Sequence, residues 1–64
     1  MTLKEAREAK GFSQAYLAER ILVDQAAVSN WERGINPPLK KYRKAIARIL
    51  GVKETEIEWE VNET

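Results

Sequence analysis

Residues 14–33 read Gln14-Ala15-Tyr16-Leu17-Ala18-Glu19-Arg20-Ile21-Leu22-Val23-Asp24-Gln25-Ala26-Ala27-Val28-Ser29-Asn30-Trp31-Glu32-Arg33, and this stretch decides the fold. Leu17, Ala18 and Ile21 recur one turn apart, as do Val28 and Trp31, so each half carries a helical stripe and not the alternation of a strand. Ser13 precedes the first half and Asp24 the second, and both are residue types that cap helix N-termini. The pattern predicts helices over about 14–21 and 25–33. With only Leu22 and Val23 between them they cannot relax into an antiparallel hairpin, so they must cross steeply, as in a helix-turn-helix. The sites where such helices touch are Leu17, Ala18, Ile21, Val23, Val28 and Trp31, all apolar or small. A side chain longer than Ala18 at the closest approach would push the helices apart.

Working outward, Thr2 and Glu5 form the S/T-x-x-E capping box of a first helix that runs to Lys10 with Leu3 and Ala6 inward. Gly11, Gly34 and Gly51 each follow a run of helix formers and serve as stops. Pro38 suits the first position of a fourth helix, with Leu39, Tyr42, Ile46, Ile49 and Leu50 as its inner stripe. Phe12 and Trp31 read as core. Val52, Ile57 and Trp59 suggest a last short helix or turn that covers the bundle, after which the chain is too polar and acidic to pack. The expected fold is all-α, a compact bundle of four main helices plus a short fifth. Its domain covers residues 1–59, and 60–64 form an acidic, flexible tail.

Sixty-four residues make one domain at most, burying only about 60% of the surface exposed on unfolding. There is no cysteine and no histidine, which removes disulfides, the usual zinc ligands, imidazole bases and thiol nucleophiles. An enzyme is not expected on those grounds, nor is a metal or cofactor. No apolar run approaches the roughly 20 residues of a membrane span, so a cytoplasmic protein is expected. Residues 1–53 hold all 11 Lys and Arg against five acids, whereas the last 11 residues carry five glutamates and no base. A basic body with an acidic end is therefore hidden in a net charge of +1, and a polyanion suits the body. The same charges would equally serve to solvate helices.

The chain resembles the phage-repressor and Cro-type helix-turn-helix family, also called the XRE family, over residues 2–58. The resemblance is carried by Arg7 four residues before Gly11, by Phe12-Ser13-Gln14 followed by Leu17-Ala18, by Val28-Ser29-Asn30-Trp31-Glu32-Arg33-Gly34 and by Ile49-Leu50-Gly51-Val52. It implies a lambda-repressor-like five-helix bundle, bacterial or phage-encoded, that represses transcription as a homodimer on palindromic double-stranded DNA. It also implies that Arg7 and Glu32 form an internal salt bridge, a structural role. Two residues depart from the pattern. Leu22 stands where the family usually has a left-handed glycine, so either Leu22 accepts that backbone or the turn is built differently. Ala26 replaces a side chain that relatives often use on a base, leaving a thymine methyl contact.

In this motif the second helix lies in the major groove with its N-terminal residues on base edges. Gln25 is the best reader, because its amide can donate to and accept from adenine together. Ala26, Ser29 and Asn30 complete the candidate base-contacting face, and the alternative is a solvated helix surface. Candidate phosphate contacts are Gln14 with the N–H groups at its helix start, Arg33, Asn36, Lys40, Lys41 and Arg43. Arg43, like Lys44 and Arg48, can instead simply solvate the fourth helix. A stacking platform for single strands is disfavoured, since both tryptophans and Tyr42 fall on inward stripes. Ile57, Trp59 and Val61 alternate with glutamates and are the candidate dimer interface. A rival reading is an antitoxin whose acidic tail, Glu54 to Glu63, holds a protein partner while the bundle binds DNA. A restriction-modification controller is a further alternative.

Overall fold

The computed structural model describes residues 1–59, and these form four helices and a short 3-10 turn. The helices are α1 (Leu3–Ala9), α2 (Gln14–Ile21), α3 (Gln25–Glu32) and α4 (Lys40–Leu50), and the turn covers Glu54–Glu56. The capping box at α1 is closed from both sides. Glu5 N–H donates to Thr2 Oγ1 at 3.1 Å, and Thr2 N–H to Glu5 Oε1 at 2.8 Å, so two otherwise unpaired donors are satisfied. At α2 the Ser13 hydroxyl accepts from Tyr16 N–H at 3.0 Å. Asp24 occupies the N-cap position of α3, but its carboxylate accepts no backbone N–H there, so the expected position holds without the expected bond.

The turn between α2 and α3 keeps the family's backbone without the family's glycine. Leu22 has φ 61° and ψ 46°, in the left-handed region. Its N–H donates to the Glu19 carbonyl at 3.3 Å, and Val23 N–H reaches back to Ala18 at 3.0 Å. These two bonds close α2 in the Schellman manner. The same pair recurs at the end of α4, where Gly51 N–H meets Arg48 and Val52 N–H meets Ala47, but there a glycine takes the positive φ without steric cost. Leu22 bears a cost of about 1–2 kcal/mol. Its side chain is 90% exposed and recovers nothing by packing.

The start of α4 differs from expectation. Pro38 is not its first residue; Leu39 is the N-cap, with extended backbone (φ −62°, ψ 155°), and its carbonyl accepts from Tyr42 and Arg43. Helical spacing places residue 39 in register with 42 and 46 only if 39 is itself helical. An extended N-cap breaks that register, so Leu39 is exposed and Pro38 is the buried residue. Ile46, Ala47 and Leu50 form the buried stripe, with Tyr42 and Ile49 half-buried beside it.

α2 packs against α3 and α4, and α1 against α3. Leu17, Val28 and Ile46 have no exposed surface and Leu50 almost none. Each such side chain contributes about 1.5–3 kcal/mol relative to exposure. Ala18 and Trp31 are buried in the same cluster, and the Trp31 ring lies 5.7 Å from Tyr42, joining α3 to α4. Phe12 packs at the edge of this core, 4.6 Å from the Tyr16 ring.

The segment after α4 folds back as a lid. Ile57 is buried, Val52 and Trp59 pack on the core, and Trp59 Nε1–H donates to the Glu54 carbonyl at 3.0 Å. Glu58 N–H donates to the Met1 carbonyl at 2.7 Å, within a parallel bridge between Thr2 and Glu58. Ile57, a candidate dimer contact by its alternation with Trp59 and Val61, is thus occupied inside its own subunit. Val61 and the 60–64 tail lie outside the described residues. Among those described, no helix is long and apolar enough to cross a membrane.

Candidate nucleic-acid interface

Val28 and Trp31 turn α3 into the core and leave its opposite face to solvent. Gln25 and Ala26 on that face are exposed, and Ser29 and Asn30 are half-buried. None of the four is covered by the lid or by α4 to the point of burial. The structure therefore brings the four candidate base-contacting residues to one accessible surface, on one helix of eight residues. The N-terminus of α2 lies beside it: Gln25 Nε2–H points to Gln14 Oε1 at 3.5 Å. Two helix starts, each the positive end of a macrodipole, are thus neighbours at one edge of the face.

Cationic side chains follow it in the chain. From residue 33 to residue 53 there are seven Lys and Arg and no acid. Arg33, Asn36, Lys40 and Lys41 are exposed, on the α3–α4 loop and the first turn of α4. Lys41 Nζ sits over the Tyr42 ring, 5.1 Å from its centre, a cation–π contact. Arg43 is placed differently from the others. It is half-buried, and its Nε–H donates to the Pro38 carbonyl at 3.0 Å, which braces the loop entering α4. Lys44 and Arg48, farther along α4, are exposed.

Beneath this surface Arg7 and Glu32 form a two-bond ion pair. Arg7 Nε–H donates to Glu32 Oε2 at 2.6 Å and Nη2–H to Oε1 at 3.1 Å. Their side chains are only 9% and 3% exposed. Arg7 Nη1–H also donates to the Phe12 carbonyl at 2.6 Å, so a single guanidinium joins α1, the loop before α2 and the end of α3. Burial alone would raise the Glu32 carboxyl, but bonds from Arg7 and Gln14 and the charges of Arg7 and Lys4 outweigh it and hold it below the usual carboxylate range. The bond to Glu32 raises Arg7 above its ordinary value. Among the described residues no buried side-chain nitrogen or oxygen lacks a partner.

One contact had no local signal in the sequence. Gln14, expected to hold a phosphate, donates its Nε2–H to Glu32 Oε1 at 2.9 Å, across 18 residues of chain. Nothing in the period or spacing of either helix announces it; only an amide and a carboxylate of complementary type were visible. Compared with known proteins, residues 3–57 match a family profile described as helix-turn-helix. No curated protein and no solved structure matches the chain.

Proposed function

Because the chain belongs to the helix-turn-helix family of the phage-repressor and Cro type, matched over residues 3–57, we propose that it is a transcriptional repressor acting as a dimer on a palindromic operator. Sequence-specific binding of double-stranded DNA goes with the family. The observation that supports the finer reading is the uncovered polar face of α3, with Gln25 and Ala26 exposed at its start and exposed Arg33, Lys40 and Lys41 in the segment that follows it. In this reading α3 lies in the major groove with Gln25, Ala26, Ser29 and Asn30 towards base edges. Gln14, Arg33, Asn36, Lys40 and Lys41 hold phosphates on both sides and fix the register. Arg43 contributes charge while its Nε–H stays on Pro38.

Size supports two copies. An eight-residue helix is about 12 Å long, and the described body measures 32 × 23 × 19 Å. One subunit therefore serves one major groove, and a second half-site about 34 Å away requires a second subunit. With about four to six phosphate contacts each, log K should fall with log salt at a slope of roughly −4 to −5 per subunit. Repression then follows from occlusion of the promoter. Ile57 being internal, the C-terminal dimer contact would fall to Trp59 and the residues beyond it. Glu54, Glu56 and Glu58 belong to the folded lid, so a protein partner in the antitoxin manner would meet a shaped acidic surface there.

Selection of sites from random duplex DNA tests the proposal. A recovered palindrome with half-sites one turn apart supports it, and a single asymmetric half-site refutes the dimer. On the selected site, Gln25→Ala should relax preference at one base pair by about 1–3 kcal/mol, whereas Lys40→Ala should weaken all sequences alike and reduce the salt slope by about one. Equal effects from both would overturn the division between reading and holding.

A further inference from the structure

The outer face of α4 carries charge of one sign. Lys40, Lys41, Lys44 and Arg48 are its exposed residues, and Lys40, Lys44 and Arg48 follow one another at i, i+4 and i+8 in a single stripe. Like charges at that spacing repel, so the stripe weakens its own helix unless an anion covers it. None of the four pairs with a carboxylate of the described residues. Lys40 and Lys41 stand at the start of α4, where the operator reading places phosphates, whereas Lys44 and Arg48 lie about 6 and 12 Å beyond Lys40 along the helix axis. From this pattern we propose that the Lys44–Arg48 half of the stripe is a docking surface for the acidic lid of a second copy of the chain, Lys44 and Arg48 of one subunit meeting Glu56 and Glu58 of the other. The inference rests on the dimer proposed above and names its contact.

The two sets of charges agree in spacing as well as in sign. Ile57 has extended backbone (φ −100°, ψ 132°) and is buried, so Glu56 and Glu58 on either side of it turn outward together, and both are exposed. Residues two apart on an extended chain are about 6.6–6.8 Å apart and residues four apart on a helix about 6 Å, so two carboxylates can meet two cations at once. Glu56 Oε1 accepts Lys53 N–H at 2.8 Å, which steadies that side chain and leaves its second oxygen open. Glu58 Oε2 lies 3.5 Å from the Met1 ammonium, yet its side chain is 77% exposed. Within one subunit the lid packs beside α4, so both surfaces adjoin, and a two-fold axis makes the contact twice. With Ile57 occupied internally, charge takes the place of an apolar anchor. Exposed pairs are individually weak and are screened by salt, so this dimer forms in dilute salt before DNA is met and comes apart in concentrated salt.

Sedimentation equilibrium of the full chain without DNA tests the contact. The dissociation constant of the dimer should rise about tenfold or more between about 50 and about 500 mM salt. Lys44→Glu with Arg48→Glu should be monomeric in dilute salt, and so should Glu56→Lys with Glu58→Lys. Mixed in equal amounts, the two variants should form a heterodimer, because each then offers the charge that the other lacks. Absence of that heterodimer, or variants as dimeric as their parent, would overturn the proposal. All four side chains are exposed, so both variants should keep the helical circular dichroism of the parent. Should loss of the Glu56 bond to Lys53 disturb the lid, Glu58→Lys alone replaces the double variant. Reversals that lower duplex affinity at an unchanged oligomeric state would assign the stripe to DNA and equally overturn it. A salt-sensitive dimer that binds no duplex refutes the operator reading and leaves this contact standing; a monomer in dilute salt that still selects a palindrome does the opposite.

Discussion

Replacing Leu22 with glycine should stabilise the protein, although it removes a large apolar side chain. Leu22 is held at φ 61° by the closure of α2, a conformation that costs an L-residue about 1–2 kcal/mol and glycine nothing. The side chain is 90% exposed, so deleting it forfeits almost no buried area. Against the relief stands the extra freedom glycine gives the unfolded chain, about 0.4–1 kcal/mol. The balance runs from about 0 to 1.6 kcal/mol of gain and centres on about 0.8 kcal/mol. In a domain of this size 1 kcal/mol moves the melting temperature by about 4–8 °C, so a rise of about 2–8 °C is expected. Thermal and urea unfolding followed by far-ultraviolet circular dichroism would measure it, with an unchanged urea m-value confirming that the unfolded state is comparable. A Leu22→Gly protein no more stable than its parent would refute the reasoning, because it would mean that the turn is relaxed or that Leu22 is packed.

Other substitutions carry opposite signs. Arg7→Ala should cost about 3–5 kcal/mol in urea unfolding, because it leaves the buried Glu32 carboxylate unpaired, whereas the double change Arg7→Met with Glu32→Leu should cost much less. Ala18→Leu should cost about 1–3 kcal/mol by overfilling a core in which Ala18 is already buried; a neutral result would show that α2 can move away from its neighbours. Acid should destabilise through Glu32. Its folded pKa lies below its unfolded value, so the unfolded chain binds more protons between the two, and stability rises with pH across that range. The contribution is complete above about pH 4.3 and is lost as pH falls through the folded value. Urea midpoints measured from pH 5 downward should show this loss, and Glu32→Gln should flatten it.

Much of the fold was legible because its boundaries are written in local chemistry. Thr2 with Glu5, Ser13 before Gln14 and Gly51 after Leu50 each solve a helix-end problem within a few residues, and the helices end where those residues stand. The entry to α4 was not legible because Leu39 has an apolar side chain at helical spacing, while it takes the extended conformation of an N-cap and leaves the buried position to Pro38. At Asp24 residue type indicated the position correctly but not the direction of the carboxylate. In the site, the exposed edge of α3 followed from Val28 and Trp31 alone, since inward residues define the outward ones. The Arg7–Glu32 pairing came from family resemblance, 25 residues apart, and the bond from Gln14 came from neither. Such contacts depend on how α1, α2 and α3 stack, which no window of sequence contains. The bridge of Thr2 to Glu58 is of the same kind, as is the burial of Ile57 beneath the alternating pattern that had suggested an interface.

The most direct measurement is a titration of the isotope-labelled protein with the selected duplex in dilute salt, following every backbone and side-chain amide. The largest changes should fall on Gln14, Gln25, Ala26, Ser29 and Asn30, with smaller ones at Arg33, Asn36, Lys40 and Lys41 and almost none around Thr2 and Ile57. Changes that leave Gln25, Ala26, Ser29 and Asn30 untouched, or no association at all, would contradict a protein that reads DNA with the outer face of α3.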